Sequence, residues 1–210
     1  MIVISDKKKR ILQAKQQFVV DQTLHLIEAT GIHQLTMDDM AQKSGYTKRT
    51  LYAFFTSKDE ILLWAFNDDL SARWKYQQQE LAKGKTGLEK LEIWSMSLYD
   101  HCQKNKHALE LQKYMDYNFV DLEKINSEIA NRFKAINQEL AEGLRAIMKD
   151  GMADQTISNN LDPDMTISQF LYAFRAILNR AFTDGYTFAQ FDANQYIRHF
   201  LELFMKSIKV

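Results

Sequence analysis

The sequence is short of every residue that staples or interrupts a fold: its 210 residues hold one cysteine, one proline and seven glycines. A lone cysteine, Cys102, closes no intramolecular disulfide, and no grouping of Cys and His has zinc-site spacing, so stability must come from packing in a reducing compartment. No apolar run approaches the ~18 residues of a membrane helix. The N-terminus sets a short apolar stretch, Met1 to Ile4, before the basic run Lys7-Lys8-Lys9-Arg10. A secretory signal needs the opposite order and a longer apolar core, so a cytoplasmic protein without membrane contact is expected. An excess of charge is missing as well, with 27 Lys and Arg against 27 Asp and Glu. Nucleic-acid binders usually show a positive excess, so this neutrality argues at first sight against such a partner.

What the sequence does have is apolar bulk. It is 46% hydrophobic and 12% aromatic, far too apolar for a disordered chain. At ~150 residues per domain the length suits one large domain or two small ones. Gly31, Gly45, Gly84, Gly87, Gly151 and Gly185 fall where apolar-periodic segments stop, and Gly143 sits inside one. Pro163 follows Asp162, an N-cap type of residue, and opens another such segment, a place where a helix accepts proline. Apolar residues recur at steps of three and four, longest from Leu122 through Ile125, Ile129, Phe133, Ile136, Leu140 and Leu144 to Ile147. No bounded run alternates apolar with polar. These features predict an all-α protein of about nine helices, over residues 8–29, 36–43, 47–53, 57–81, 87–103, 106–116, 121–149, 163–184 and 193–207.

Residues 31–60 read GIHQLTMDDMAQKSGYTKRTLYAFFTSKDE. Thr36 with Asp39 and Ser57 with Glu60 have capping-box spacing, and Gly45 ends the helix between them. Helix, tight glycine turn, short helix and then a long helix is the pattern of a helix-turn-helix. Thr47 would cap the middle helix, whose first turn carries Lys48 and Arg49. Cations there oppose the helix dipole by roughly 0.3–1 kcal/mol each, a poor choice for folding and a good one for meeting a polyanion. Lys58 repeats the placement one helix later. The charge balance agrees once it is divided: nine basic against five acidic residues up to Lys58 give +4, and the remaining 18 against 22 give −4.

The stretch from Thr36 to Leu63 resembles the DNA-binding domain of the TetR family of bacterial transcriptional regulators, most specifically in Leu51-Tyr52, Phe55 and Ser57-Lys58. The resemblance implies a three-helix helix-turn-helix domain over residues 1–56, with a basic arm at 1–10, and a helical effector-binding and dimerisation domain over 57–210. It implies that Thr36 and Lys58 hold phosphate, that Thr47, Lys48, Arg49 and Thr50 face the major groove, and that Tyr52 lies on the backbone. Leu51 and Phe55, on the opposite face, are expected in the core. Lys48 or Arg49 reads guanine or holds phosphate. The arm either adds phosphate contacts or is a solvated terminus. Arg49 replaces the small residue usual in the family, and Phe54 is unusually apolar for a groove-facing position.

Residues 87–210 show no Gly-rich phosphate loop, nucleophile elbow or metal-spaced His pair, so neither enzyme nor cofactor is expected. His101, Cys102 and His107 do not share a helix face. The region is rich in large apolar side chains, Phe119 and Phe182 among them, which suit a core. By the resemblance some enclose an effector, with Trp94, Tyr99, Tyr117, Phe133 and Phe174 as lining and an apolar or aromatic small molecule as occupant. The stripes of the last two helices can be buried by the monomer or by a second copy. The resemblance implies the second, with Phe170, Ile177, Phe200 and Phe204 at a dimer interface. The reading is a homodimeric regulator on a palindromic double-stranded DNA operator, a repressor released by a small-molecule effector. Its alternatives are an architectural or cell-cycle DNA-binding protein without an effector, and a helical-bundle enzyme or lipid binder.

Overall fold

Nine α-helices are found among the described residues of the computed structural model, which are 6–118, 120–182 and 192–210. They are α1 Asp6–Thr30, α2 Met37–Ser44, α3 Lys48–Phe54, α4 Lys58–Leu81, α5 Gly87–Lys104, α6 Lys106–Tyr117, α7 Ser127–Ala153, α8 Pro163–Ala181 and α9 Ala193–Ile208. The all-α expectation holds, and most boundaries fall within two residues of the periodicity. A single antiparallel bridge, Ile157 with Lys209, is the one β element described. Phe119, Gly185, the first five residues of the basic arm and the predicted end of the penultimate helix lie outside the described residues.

The seventh helix departs from expectation at its start. The seam from Leu122 predicts a helix from 121, yet α7 begins at Ser127. Asp121 Oδ1 accepts from Glu123 N at 3.1 Å and its carboxylate pairs with Lys124 at 2.9 Å. Asn126 Oδ1 then takes Glu128 N at 2.9 Å. Short polar side chains bonding nearby backbone compete with the helix and delay it. Ile125 is buried all the same. At the other end α7 runs through Gly151, which the sequence reading treats as a stop.

The chain packs as two units. One takes the residues up to Ser71 together with Asn105–Ile136, and the other takes Ala72–Lys104 and Asn137–Val210. This division falls inside α4 and groups α6 and the start of α7 with the N-terminal helices.

In the first unit Val19, Val20 and Ile27 of α1 are buried with Met37, Met40 and Ala41 of α2 and with Leu51 and Phe55, which are 0% and 2% exposed. Gln16 Nε2 donates to Phe54 O at 2.7 Å and so fixes α1 against the end of α3. The first half of α4 is held by side chains: Asn67 Nδ2 donates to Ile129 O at 3.0 Å, Arg132 pairs with Asp68 at 2.7 Å, and Tyr114 Oη donates to Asp59 Oδ1 at 2.6 Å. Burial and this bond to a carboxylate push the Tyr114 hydroxyl well above the usual phenol range. A helix of seven residues such as α3 is not stable alone, and this scaffold holds it.

In the second unit Gly143 has a packing reason for standing inside a helix. A Cβ there would lie 2.5 Å from the Trp74 ring, and Trp74 Nε1 donates to Glu139 Oε1 at 2.8 Å. The aromatic stripes of α8 and α9 meet each other. Phe170 lies 4.4 Å from Phe204 and 6.3 Å from Phe200, centroid to centroid, and stacks on Phe174 at 5.4 Å. This corrects one expectation: Phe170 is 0% exposed within its own subunit and has no surface to offer a partner. Ile177, Phe200 and Phe204 are half-buried. The apolar side chains left outside on these helices are Tyr172, Met165 and Leu203, at 70%, 61% and 55% exposure.

Candidate nucleic-acid interface

Two caps and one glycine set the helix-turn-helix. Thr36 Oγ1 accepts from Asp39 N at 3.2 Å while Asp39 Oδ2 takes Thr36 N at 2.9 Å, a complete capping box. These bonds from Thr36 hold the Asp39 carboxyl below the usual carboxylate range. At the other end of α2, Gly45 takes φ 70°; its N–H reaches Gln42 O at 3.2 Å and Tyr46 N reaches Ala41 O at 3.0 Å. That is a Schellman motif, and it aims the chain into α3. Gly45→Ala meets no atom within 4 Å but must adopt the left-handed conformation, at a cost of about 1–2 kcal/mol. We expect its melting temperature to fall and DNA affinity to fall with it; an unchanged melt would show that the turn tolerates a side chain.

Thr47 caps α3, accepting from Thr50 N at 3.1 Å, and the two hydroxyls share a bond of 2.8 Å. With Leu51 turned fully inward, helical spacing leaves Lys48, Arg49 and Tyr52 on the outer face, where all are exposed and Tyr52 at 52%. Arg49 bonds no acceptor among the described residues. Lys48 Nζ pairs with Asp38 Oδ2 at 2.7 Å. This hydrogen bond and the carboxylate charge push the Lys48 amine above its usual range, so it is a full cation at physiological pH. Phe54 has an intramolecular use, edge-on to Tyr46 at 5.4 Å.

Two expected phosphate ligands are occupied within the fold. Lys58 Nζ donates to Leu35 O at 3.2 Å and lies 5.4 Å from the centre of the Tyr114 ring. Thr36 Oγ1 spends its proton on Asp39 Oδ2 at 2.6 Å. The second capping box is displaced: Ser57 Oγ accepts from Glu60 N at 3.2 Å, but the Glu60 carboxylate takes Thr56 N at 2.7 Å. Lys43, in the last turn of α2, is exposed and bonds no acceptor among the described residues. Sequence reasoning passed it over because it lies outside α3, although a basic residue beside the turn was visible.

The residues expected to line an effector site divide between the units. Tyr117 and Phe133 line an open cavity of about 460 Å³ in the first unit with Leu63, Met115, Val120 and Leu122, and Tyr117 is 81% exposed at its mouth. Trp94, Tyr99 and Phe174 are buried in the second unit. A further cavity of about 400 Å³ in the first unit is lined by Lys9, Gln16, Trp64, Asn67 and Arg132. Among the described residues no helix is long and apolar enough to cross a membrane, and no group of three or more His, Cys, Asp or Glu could hold a metal ion.

The profile of a family described as bacterial regulatory proteins, tetR family, matches residues 19–64. The chain is 25% identical over 170 residues to the fatty acid metabolism regulator protein of Bacillus subtilis, an alignment covering 76% of this chain and 84% of that one. Its fold is similar to that of the fatty acid degradation regulator FadR of Bacillus halodurans, with a TM-score of 0.69 at 14% identity over 91% of this chain and 94% of that chain. It is also similar to FadR of Bacillus subtilis in complex with stearoyl-CoA, with a TM-score of 0.69 at 17% identity over 91% and 98% of the two chains. A glycine-turned pair of helices presenting an outward cation, the matching profile over those same helices and the similarity in fold lead to one conclusion: the chain is a DNA-binding transcriptional regulator whose residues 19–64 match the tetR family of bacterial regulatory proteins.

Proposed function

We propose that this regulator is a homodimeric repressor of genes of fatty-acid metabolism, released from a palindromic operator by a long-chain acyl-CoA. One observation carries the effector class: the similarity to the Bacillus subtilis fatty acid regulator covers 84% of that protein, well beyond the helix-turn-helix. Kinship confined to DNA binding would stop near residue 64, where the family profile stops. An effector also distinguishes this reading from a purely architectural DNA-binding protein.

In this reading residues 1–56 read DNA, with Arg49, Lys48, Thr47, Thr50 and Tyr52 on the groove side. Residues 57–210 bind the effector and dimerise, using the exposed strip of Met165, Tyr172 and Leu203. Two recognition helices then engage half-sites about 34–36 Å apart. Effector and operator weaken each other by the same factor, since both bias one equilibrium between two states.

The test begins with an operator selected from random DNA, which should be palindromic. Titrating stearoyl-CoA into the complex should release the DNA, while coenzyme A alone should not. If acyl-CoAs of every chain length leave the complex intact, the effector assignment is wrong.

A further inference from the structure

The cavity of about 400 Å³ in the first unit opens between α1, the middle of α4 and the start of α7. Leu12, Gln13 and Gln16 border it from one side of α1, Trp64 and Asn67 from successive turns of α4, and Ile129 from α7. Its size lies at the lower end of small-molecule sites, room for a molecule of one or two rings. Trp64 is a fixed wall: its Nε1 donates to Gln17 Oε1 at 3.2 Å, and its ring stands edge-on to Phe55, 6.0 Å centroid to centroid.

Two polar side chains of this wall have bonding capacity to spare. Asn67 is 0% exposed; its Nδ2 donates to Ile129 O at 3.0 Å, but its Oδ1 has no hydrogen-bond partner among the described residues. A buried acceptor left unsatisfied costs more than a made bond gains, so native folds keep few of them without a reason. Unsatisfied buried atoms occur also on Asp69, Gln77, Trp94 and Asn179, but those residues do not line the cavity, and Asp69 and Asn179 have other interactions. Half-buried Gln13 bonds no group among the described residues, which leaves its whole carboxamide available. The charges at the rim, by contrast, are answered. Lys9 lies 3.9 Å from Glu128, and Arg132 pairs with Asp68 at 2.7 Å and donates to Ser71 Oγ at 3.1 Å. Two cations against two carboxylates leave no net charge for an ionic ligand to neutralise.

We infer that this cavity is a ligand site inside the first unit, taking a small neutral aromatic molecule that carries a hydroxyl. The hydroxyl donates to Asn67 Oδ1 and accepts from the Gln13 amide, while the ring lies against Leu12, Trp64 and Ile129. The site is additional to an acyl-CoA effector of the regulatory region and does not depend on it. Gln16, on the same wall, donates to Phe54 O at 2.7 Å at the end of α3. An occupant packed on Gln16 therefore braces α3, and by linkage operator and ligand strengthen each other.

The test is calorimetric titration and thermal shift of the full chain with 2-naphthol, 2-methoxynaphthalene and 2-naphthoate, on the wild type, Asn67→Leu and Gln13→Trp. 2-Naphthol should bind and raise the wild-type melting temperature. Its methyl ether lacks the donor and should bind about 10-fold more weakly, and 2-naphthoate, an anion without a counter-ion there, more weakly still. Asn67→Leu should lose about 10-fold in 2-naphthol affinity. Gln13→Trp, which fills the cavity from its half-exposed wall, should abolish binding, and it gives the reading if loss of the bond to Ile129 O keeps Asn67→Leu from folding. Saturating 2-naphthol should tighten operator binding about 5-fold in fluorescence anisotropy. The inference is overturned if 2-naphthol leaves the melt unmoved, which would make the cavity a water site, if the methyl ether binds as well, or if Gln13→Trp binds 2-naphthol as the wild type does. Binding with operator affinity unchanged would strike out the link through Gln16.

Discussion

Arg49→Ala is expected to weaken operator binding by about 1–3 kcal/mol, roughly 5- to 150-fold, with the folded state intact. The side chain is exposed in the first turn of α3 and bonds no acceptor among the described residues, so its removal costs the protein little and the complex a charged, forked donor. If Arg49 reads guanine, the loss concentrates at one position of each half-site. If it holds phosphate, the loss is uniform across sequences and the slope of log affinity against log salt falls by about one. Adding Lys48→Ala lowers that slope again, but Lys48 must first leave Asp38, 2.7 Å away. Asp38→Asn should therefore act in the opposite direction and tighten binding, since it frees Lys48 and removes an anion from the DNA-facing side. Fluorescence anisotropy across a salt series reads all three variants. Unchanged affinity in Arg49→Ala with Lys48→Ala would return both cations to a solvated turn.

These residues also show how far sequence carries the argument. Thr36 with Asp39, Gly45 and Thr47 are local devices, acting within three or four positions, and each was legible with its partner. Leu51 and Phe55 were assigned inward by spacing alone, and both are buried. What sequence does not display is which distant atom claims a side chain. Lys58 is bonded to Leu35 O, 23 positions away, and lies by the Tyr114 ring, 56 positions away. Phe170 could be placed on an apolar stripe, but whether Phe204 or a second copy covers that stripe is settled by the approach of two helices. Neutrality of the whole chain misled for a related reason, since a sum conceals a basic reader attached to an acidic body.

Gly87→Ala is expected to unfold or severely weaken the second unit, although it adds one methyl group. The sequence offers Gly84 and Gly87 as equivalent members of a loop, and neither has positive φ. Their surroundings differ. A Cβ on Gly87 would stand 2.1 Å from Gly151 N, 2.3 Å from Gly151 Cα and 2.7 Å from Ile147 O, all backbone atoms of α7. No rotamer change relieves such a clash, so the start of α5 must move off α7. That movement also strains two bonds anchoring the start of α5, Gly87 N to Asp154 Oδ2 at 2.7 Å and Leu88 N to Thr156 Oγ1 at 3.3 Å. Overpacking against flexible side chains costs about 1–3 kcal/mol, and a rigid backbone on the other side places this substitution at about 3 kcal/mol or more. Against a total stability of roughly 5–15 kcal/mol that is a large fraction. Gly84→Ala is the control: its nearest neighbour is Lys90 Cγ at 2.9 Å, a flexible stem that can turn away, with Ile93 Cδ1 and Lys90 N at 3.1 Å. Urea unfolding of the two variants should separate them by about 2 kcal/mol or more. Equal midpoints would mean that α5 and α7 are not held backbone to backbone, and the close approach of Gly87 to the Gly151 backbone would have to be abandoned as the reason for glycine at position 87.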